Sequence, residues 1–410
     1  MKYFNYLLLL LGIVFSIKIL YDFRNIQINL TPDSFEYINF AKQIQNKDLI
    51  SPYQKEIVRT PMYPVLLSFF DLSDYNNLKK LHLFIFFVTI LIVPILLLEK
   101  FNFSVLFFST SFVLCLVNEF ALSILTEWIS ICFLILLVSL FFIYLKNKTV
   151  VILLNLCTVT VILALLRPVL LFLVFIPFIY NLITKARIKI LFLSFFTPIF
   201  LILPFYLNNY YKYNYFTLSP FSGVSLFGVS SVIDPSLGND NINIKDDIFL
   251  NYLRSKIKVS TPIDSQLKLE SNYNFNVWMS AEEFRKEFNL NYFEWNKIAF
   301  NSSLIVINSN PIKYLTHIVS QFKHQVFYLP LYWWLVIIFN LFYKKNFSTY
   351  KLLYNFCLFS IVIHLVHLFI CSMTNVIFYR LFILTVIPVI FTSLVSLLSK
   401  LENNLISNNS

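Results

Sequence analysis

The chain has 410 residues, 58% of them hydrophobic and only 13% charged, with a mean hydropathy of +0.72 and a formal net charge of +11. Soluble domains carry about 25% charged residues, so an ordinary soluble globule is excluded and an all-α polytopic membrane protein is expected. The positive charge does not point to nucleic acid, because no loop joins a dense basic patch to exposed aromatics.

A bilayer core needs about 20 apolar residues per helix. Runs that meet or approach this length fall near 4–20, 81–98, 103–119, 122–145, 149–166, 168–184, 188–208, 325–342, 352–371 and 377–399, which predicts about ten transmembrane helices. No small-residue cleavage site follows Leu20, so the first run reads as a retained helix rather than a signal peptide. Two long polar stretches, 21–80 and 209–324, separate the runs. In the first, Thr31 is a plausible N-cap with Pro32 at the first helical position, predicting a short surface helix that carries Asp33 in its first turn. In the second, turn signals at Asp234-Pro235 and Leu237-Gly238-Asn239-Asp240 precede a helical stretch from about Ala281 to Ser309, and Pro311 opens another helix towards Phe327. Cys115, Cys132, Cys157, Cys357 and Cys371 lie within or at the end of apolar runs, which argues for buried thiols rather than disulfides or a zinc site.

Orientation follows from the positive-inside rule. With both termini in the cytoplasm, the short inner loops hold Lys100, Lys146, Lys148, Lys185, Arg187, Lys189, Lys344, Lys345 and Lys351, with Lys400 in the C-terminal tail. The short outer loops hold only Arg167 and Arg380. Both long polar stretches then face outwards, which for a bacterial inner membrane is the periplasm. The inner basic fringe suits anionic lipid headgroups.

The ionisable groups on the outer side are the candidates for chemistry. Asp33 at a helix start also complements the helix dipole. Glu127 lies about one turn into a membrane helix, where an acid is a functional hypothesis by default; Glu119 sits in the adjacent outer turn. His364 and His367 share a helix face, and a polar contact between helices is favoured over a metal site because no further ligands accompany them.

The motifs combine into a family resemblance. Leu30-Thr31-Pro32-Asp33-Ser34-Phe35-Glu36-Tyr37 is followed by Arg59-Thr60-Pro61-Met62-Tyr63-Pro64. Then come Ser123-Ile124-Leu125-Thr126-Glu127, Leu166-Arg167-Pro168, Asn208-Asn209-Tyr210 through Leu218-Ser219 and Gly223, Asn310-Pro311-Ile312-Lys313-Tyr314-Leu315, and Tyr379-Arg380 with Pro388. In this order the segments resemble the C-type membrane glycosyltransferases, in the bacterial branch related to protein mannosyltransferases and the lipid A aminoarabinose transferase.

The resemblance implies one membrane glycosyltransferase domain over residues 1–410. The first periplasmic loop, 21–80, would carry the catalytic acid, and the large loop, 209–324, the acceptor-binding region. It implies inverting transfer of a sugar from a polyprenyl-phosphate donor to a glycan, lipid or protein of the cell envelope. Asp33 is then the catalytic base, Arg59, Arg167 and Arg380 bind the lipid phosphate, and Tyr63, Tyr379 and Glu127 are further substrate contacts. Some relatives have two adjacent acids in the first loop; here Ser34 follows Asp33 and the next acid is Glu36, so only the first carboxylate carries over. A divalent metal is left open, and no other cofactor is implied. The competing readings are a transporter or lipid flippase, an O-antigen polymerase or ligase, and a non-catalytic assembly protein. Few charges within the spans, and the early Asp-Ser-x-x-Tyr segment, favour the enzyme.

Overall fold

A computed structural model describes residues 2–46, 59–219, 221–233, 272, 276–277, 281–326, 348–374 and 379–407. Among these the chain is all-α, with no sheet and one isolated bridge between Asn29 and Ser123. Among the described residues six helices are long and apolar enough to cross a membrane, accompanied by shorter apolar ones, so this is a multi-pass membrane protein.

In chain order, α1 (Lys2–Asn25) is followed by α2 (Pro32–Gln45) and α3 (Met62–Leu67) of the first polar stretch. Then come α4 (Asn76–Leu97), α5 (Phe103–Leu116), the single turn α6 (Asn118–Ala121), α7 (Thr126–Asn147) and α8 (Val150–Leu166). A 3-10 helix, Pro168–Phe175, runs into α9 (Ile176–Ile183), and α10 spans Ile188–Tyr213. The second polar stretch holds α11 (Ser222–Ile233), α12 (Ala281–Glu287), α13 (Tyr292–Ser309) and α14 (Pro311–Val326); α15 (Ser348–Thr374) and α16 (Tyr379–Ser407) complete the described chain.

Three expectations change. The run at 103–119 becomes a helix of only 14 residues, because the chain turns at Val117 into α6. The run at 168–184 starts as a 3-10 helix, whose larger rise makes its sixteen residues about 28 Å long, near the thickness of a bilayer core. The stretch from Ala281 to Ser309 is two helices, because Asn289 adopts a left-handed conformation (φ 48°) and Asn291 restarts the helix through a capping box with Glu294. Most of the run at 325–342, and the turn signals at 234–240, lie outside the described residues.

Burial sorts the long helices. α7 is apolar on all sides and packs against α4, α8, α15 and α16, so nearly its whole surface is internal. α1 and α10 instead leave Leu7, Leu10, Val14 and Ile17, and Phe192, Phe196 and Phe200, exposed. In a bilayer such faces meet acyl chains. α1 approaches α5 closely at Gly12, where a Cβ would lie 2.6 Å from the Phe107 ring; one turn on, the Ser16 and Ser111 hydroxyls bond at 3.1 Å. Close approach at small residues is how membrane helices gain packing without a hydrophobic drive between them.

Contacts also sort the helix ends. Asn5 at the start of α1 and Asn102 before α5 both donate to Glu402 near the end of α16, each at 3.0 Å. Lys146 at the end of α7 pairs with Glu99 after α4, and Tyr144 donates to Asn181 of α9 at 2.7 Å. These mark one end of the bundle. At the opposite end Lys79 caps the last carbonyls of α1, Asn118 donates to Asp22 at 2.6 Å, and the Asn29 amide bonds the Leu122 carbonyl at 2.8 Å. Both polar stretches join the bundle at this second end.

Candidate functional site

The site begins with the local fold of α2. The Thr31 side chain accepts from the Ser34 amide and the Ser34 hydroxyl accepts from the Thr31 amide, a reciprocal cap that starts the helix at Pro32. Asp33 therefore stands in the first turn, and Glu36 and Tyr37 follow on the same face at three and four residues' spacing.

That face meets Arg59. Nη2 of Arg59 lies 2.5 Å from Oδ1 of Asp33, and Nε lies 2.6 Å from Oε2 of Glu36. The guanidinium also lies 5.3 Å from the ring centre of Tyr37 and 5.3 Å from that of Phe221, just before α11. It is thus gripped at its edge by two carboxylates and flanked by two aromatic rings, a residue from each polar stretch among them. Burial works against the charge of Arg59, but Tyr37, Asp33 and Glu36 more than offset it and hold its pKa above the usual value. Burial pushes the Glu36 carboxyl up; Arg59 pulls it back, while Asp33 and Glu282 of α12 push it further up. Glu282 is itself held by Arg285, whose guanidinium lies over Tyr292 at 4.2 Å.

The next residues stitch this segment to the bundle. Thr60 Oγ1 donates to the Leu166 carbonyl at 3.1 Å, a group freed because Pro168 and the extended Arg167 end α8. Arg59-Thr60-Pro61 is thereby tied to Leu166-Arg167-Pro168. Arg167 turns inward, its Nη1 2.7 Å from Oε1 of Glu127, and Glu127 occupies the first turn of α7 with 3% of its side chain exposed. Tyr37 stands between the two ion pairs. Burial raises its hydroxyl pKa, and both pairs act on it: Arg59 and Arg167 lower it, Glu127 and Asp33 raise it.

Tyr63 is fully buried, its ring against Tyr37 edge to face at 5.1 Å. Its hydroxyl bonds Nε2 of His82 at 3.0 Å, and Nδ1 of His82 lies 2.7 Å from the Ala121 carbonyl. A carbonyl only accepts, so the proton is on Nδ1, and Nε2 accepts from the tyrosine. His82 thus fixes Tyr63 as a support beneath the site.

Of the residues singled out from the sequence, Asp33, Arg59, Tyr63, Arg167 and Glu127 converge on one end of the bundle. Glu119 lies nearby in α6. The side chains of Tyr379 and Arg380, which open α16, lie outside the described residues; the adjacent Leu381 packs with Cys371 and Val169, two residues beyond Arg167. His364 and His367 make contacts between α15 and α16 through Thr385, whose hydroxyl lies 3.0 and 2.9 Å from their Nδ1 atoms. Among the described residues no group of three or more His, Cys, Asp or Glu side chains is placed to hold a metal ion.

Two participants, His82 and Phe221, were not singled out from the sequence. Glu36 and Tyr37 were named within the first motif but given no role, although their helical spacing to Asp33 places them on its face. His82, the polar exception at the start of an apolar run, carried a weak signal. Phe221 carried none, in a chain with 47 phenylalanines. Other residues of the quoted segments are also held in the fold: Asn209 Nδ2 donates to the Thr217 carbonyl at 2.7 Å, Asn296 Oδ1 accepts from the Gly223 amide at 2.6 Å, and the Tyr314 hydroxyl donates to the Met373 carbonyl at 2.6 Å. No family model, curated protein or solved structure matches the chain.

Proposed function

We propose that this protein is an inverting membrane glycosyltransferase, moving a sugar from a polyprenyl-phosphate donor to an envelope acceptor at the outer face of a bacterial inner membrane, with its termini in the cytoplasm. One observation carries the reading: an acid that can serve as base, Asp33, shares one bundle end with two arginines, Arg59 and Arg167, where a lipid anchor and a water-borne acceptor can meet. The acceptor hydroxyl attacks the anomeric carbon from the face opposite the phosphate. Asp33 takes its proton, the bond from that carbon to the phosphate oxygen breaks, and the lipid phosphate departs with its added negative charge. Arginine suits that charge because its planar donors stay protonated and match phosphate oxygens. A positioned base contributes about 10²–10⁴-fold.

Lipid mass spectrometry on the detergent-purified protein tests this. Wild type should carry polyprenyl phosphate, free or glycosylated, and Arg59→Ala and Arg380→Ala should lose it. Wild type that retains only bulk phospholipid after incubation with polyprenyl phosphate sinks the donor assignment.

A second reading, transport, has one observation in its favour. His364, Thr385 and His367 form a buried polar chain between α15 and α16, and intramembrane ionisable groups often line transport paths. Substrate uptake into proteoliposomes that disappears in His367→Ala would favour it over transfer.

A further inference from the structure

The ion pairs on Arg59 raise a difficulty for the reaction proposed above. A base must stand on the face of the sugar opposite the leaving phosphate, yet Asp33 and the phosphate both look to the same guanidinium. The carboxylate oxygen 2.5 Å from Nη2 of Arg59 also occupies a donor that the phosphate needs. Both problems vanish if the contacts of Arg59 exchange.

Resting on that reading, we infer that Asp33 and Glu36 latch Arg59, and that the phosphate of the lipid donor displaces them. The guanidinium trades its two carboxylates for the phosphate, and the trade releases Asp33 to accept the acceptor's proton. Binding of the donor and release of the base are then one event, so the base is free of the guanidinium only when there is a sugar to transfer.

Three features suit Arg59 to this exchange. Its position does not depend on the acids alone, because Tyr37 and Phe221 flank it at 5.3 Å and Thr60 anchors the next residue to Leu166. The acids can leave: the side chains of Asp33 and Glu36 are 25% and 41% exposed, so either can turn towards water. Arg167 makes the contrast, since its partner Glu127 is 3% exposed and has nowhere to go. Arg167 is therefore the fixed charge of the site and Arg59 the exchangeable one.

The test is the affinity of the full-length protein in detergent for a long-chain polyprenyl phosphate, read by native mass spectrometry with parallel thermal melts. Asp33→Asn and Glu36→Gln keep a carbonyl oxygen facing the guanidinium but remove the competing charge. Each should tighten binding about two- to fivefold, the range set by a partly exposed ion pair, whereas Arg59→Ala should weaken it. If wild type binds and both neutral variants bind equally or more weakly, the latch is refuted while the glycosyltransferase reading stands. If neither wild type nor variants bind, both fall. Variants that bind where wild type does not would uphold the latch in its strongest form. Should Asp33→Asn fail to fold, Glu36→Gln, the more exposed of the two, carries the test alone.

Discussion

The two ends of the bundle handle charge in opposite ways. At one end Lys146 meets Glu99 in an exposed pair, with side chains 32% and 71% exposed. At the other end the acids meet largely buried arginines, with side chains 16% and 14% exposed: Asp33 and Glu36 on Arg59, Glu127 on Arg167. The difference is one of dielectric. A lysine and a glutamate in water gain little from each other and can be lost singly, whereas a buried arginine is tolerated only with its partner. Residues whose charge is costly to keep are gathered at the end where the proposed chemistry needs it.

Several substitutions sharpen or break that contrast. The largest effect is expected from Glu127→Ala, which strands Arg167 inside the bundle. A loss of about 3–5 kcal/mol should appear as a lowered unfolding midpoint in detergent, while Glu99→Ala at the opposite end should leave the midpoint unchanged. Equal shifts at the two ends would dissolve the comparison.

Gly223→Ala comes next. The added Cβ would lie 2.2 Å from the Asn296 backbone oxygen, so α11 must move against α13, at about 2–3 kcal/mol. Gly12→Ala meets the edge of the Phe107 ring, which can turn, and backbone only at 3.2 Å, the Phe108 Cα, so its midpoint should fall less. Tyr63→Phe removes the donor to His82 and leaves a buried nitrogen unpaired, at about 1–2 kcal/mol. Because the Tyr63 ring still packs on Tyr37, polyprenyl phosphate affinity should change little; a large loss would make Tyr63 a direct ligand rather than a support. The smallest stability effect is expected from Ser16→Ala, which deletes one bond between α1 and α5 and should shift the midpoint within the scatter of repeat melts.

The second polar stretch shows how the site depends on contacts the chain forms only when folded. Asn296 of α13 accepts from the Gly223 and Val224 amides at 2.6 and 3.3 Å and donates to the Tyr215 hydroxyl at 3.1 Å. This fixes the start of α11, and with it Phe221 beside Arg59. Nothing local in the sequence links these four positions.

What the sequence determined by itself is what depends on neighbours along the chain. Composition and the lengths of the apolar runs made this a membrane protein, since each span must satisfy its own backbone and present apolar side chains. Thr31 with Pro32, and Pro311, marked helix starts because capping is decided within one turn. The spacing of His364 and His367 pointed to a contact between helices, and Thr385 supplies it. What only the tertiary structure decided is which charges meet. Arg59 finds Asp33 across 26 residues, and Arg167 finds Glu127 across the α7–α8 hairpin. Such pairs are set by the three-dimensional path and by the high energy of leaving a buried charge alone, which no local pattern encodes.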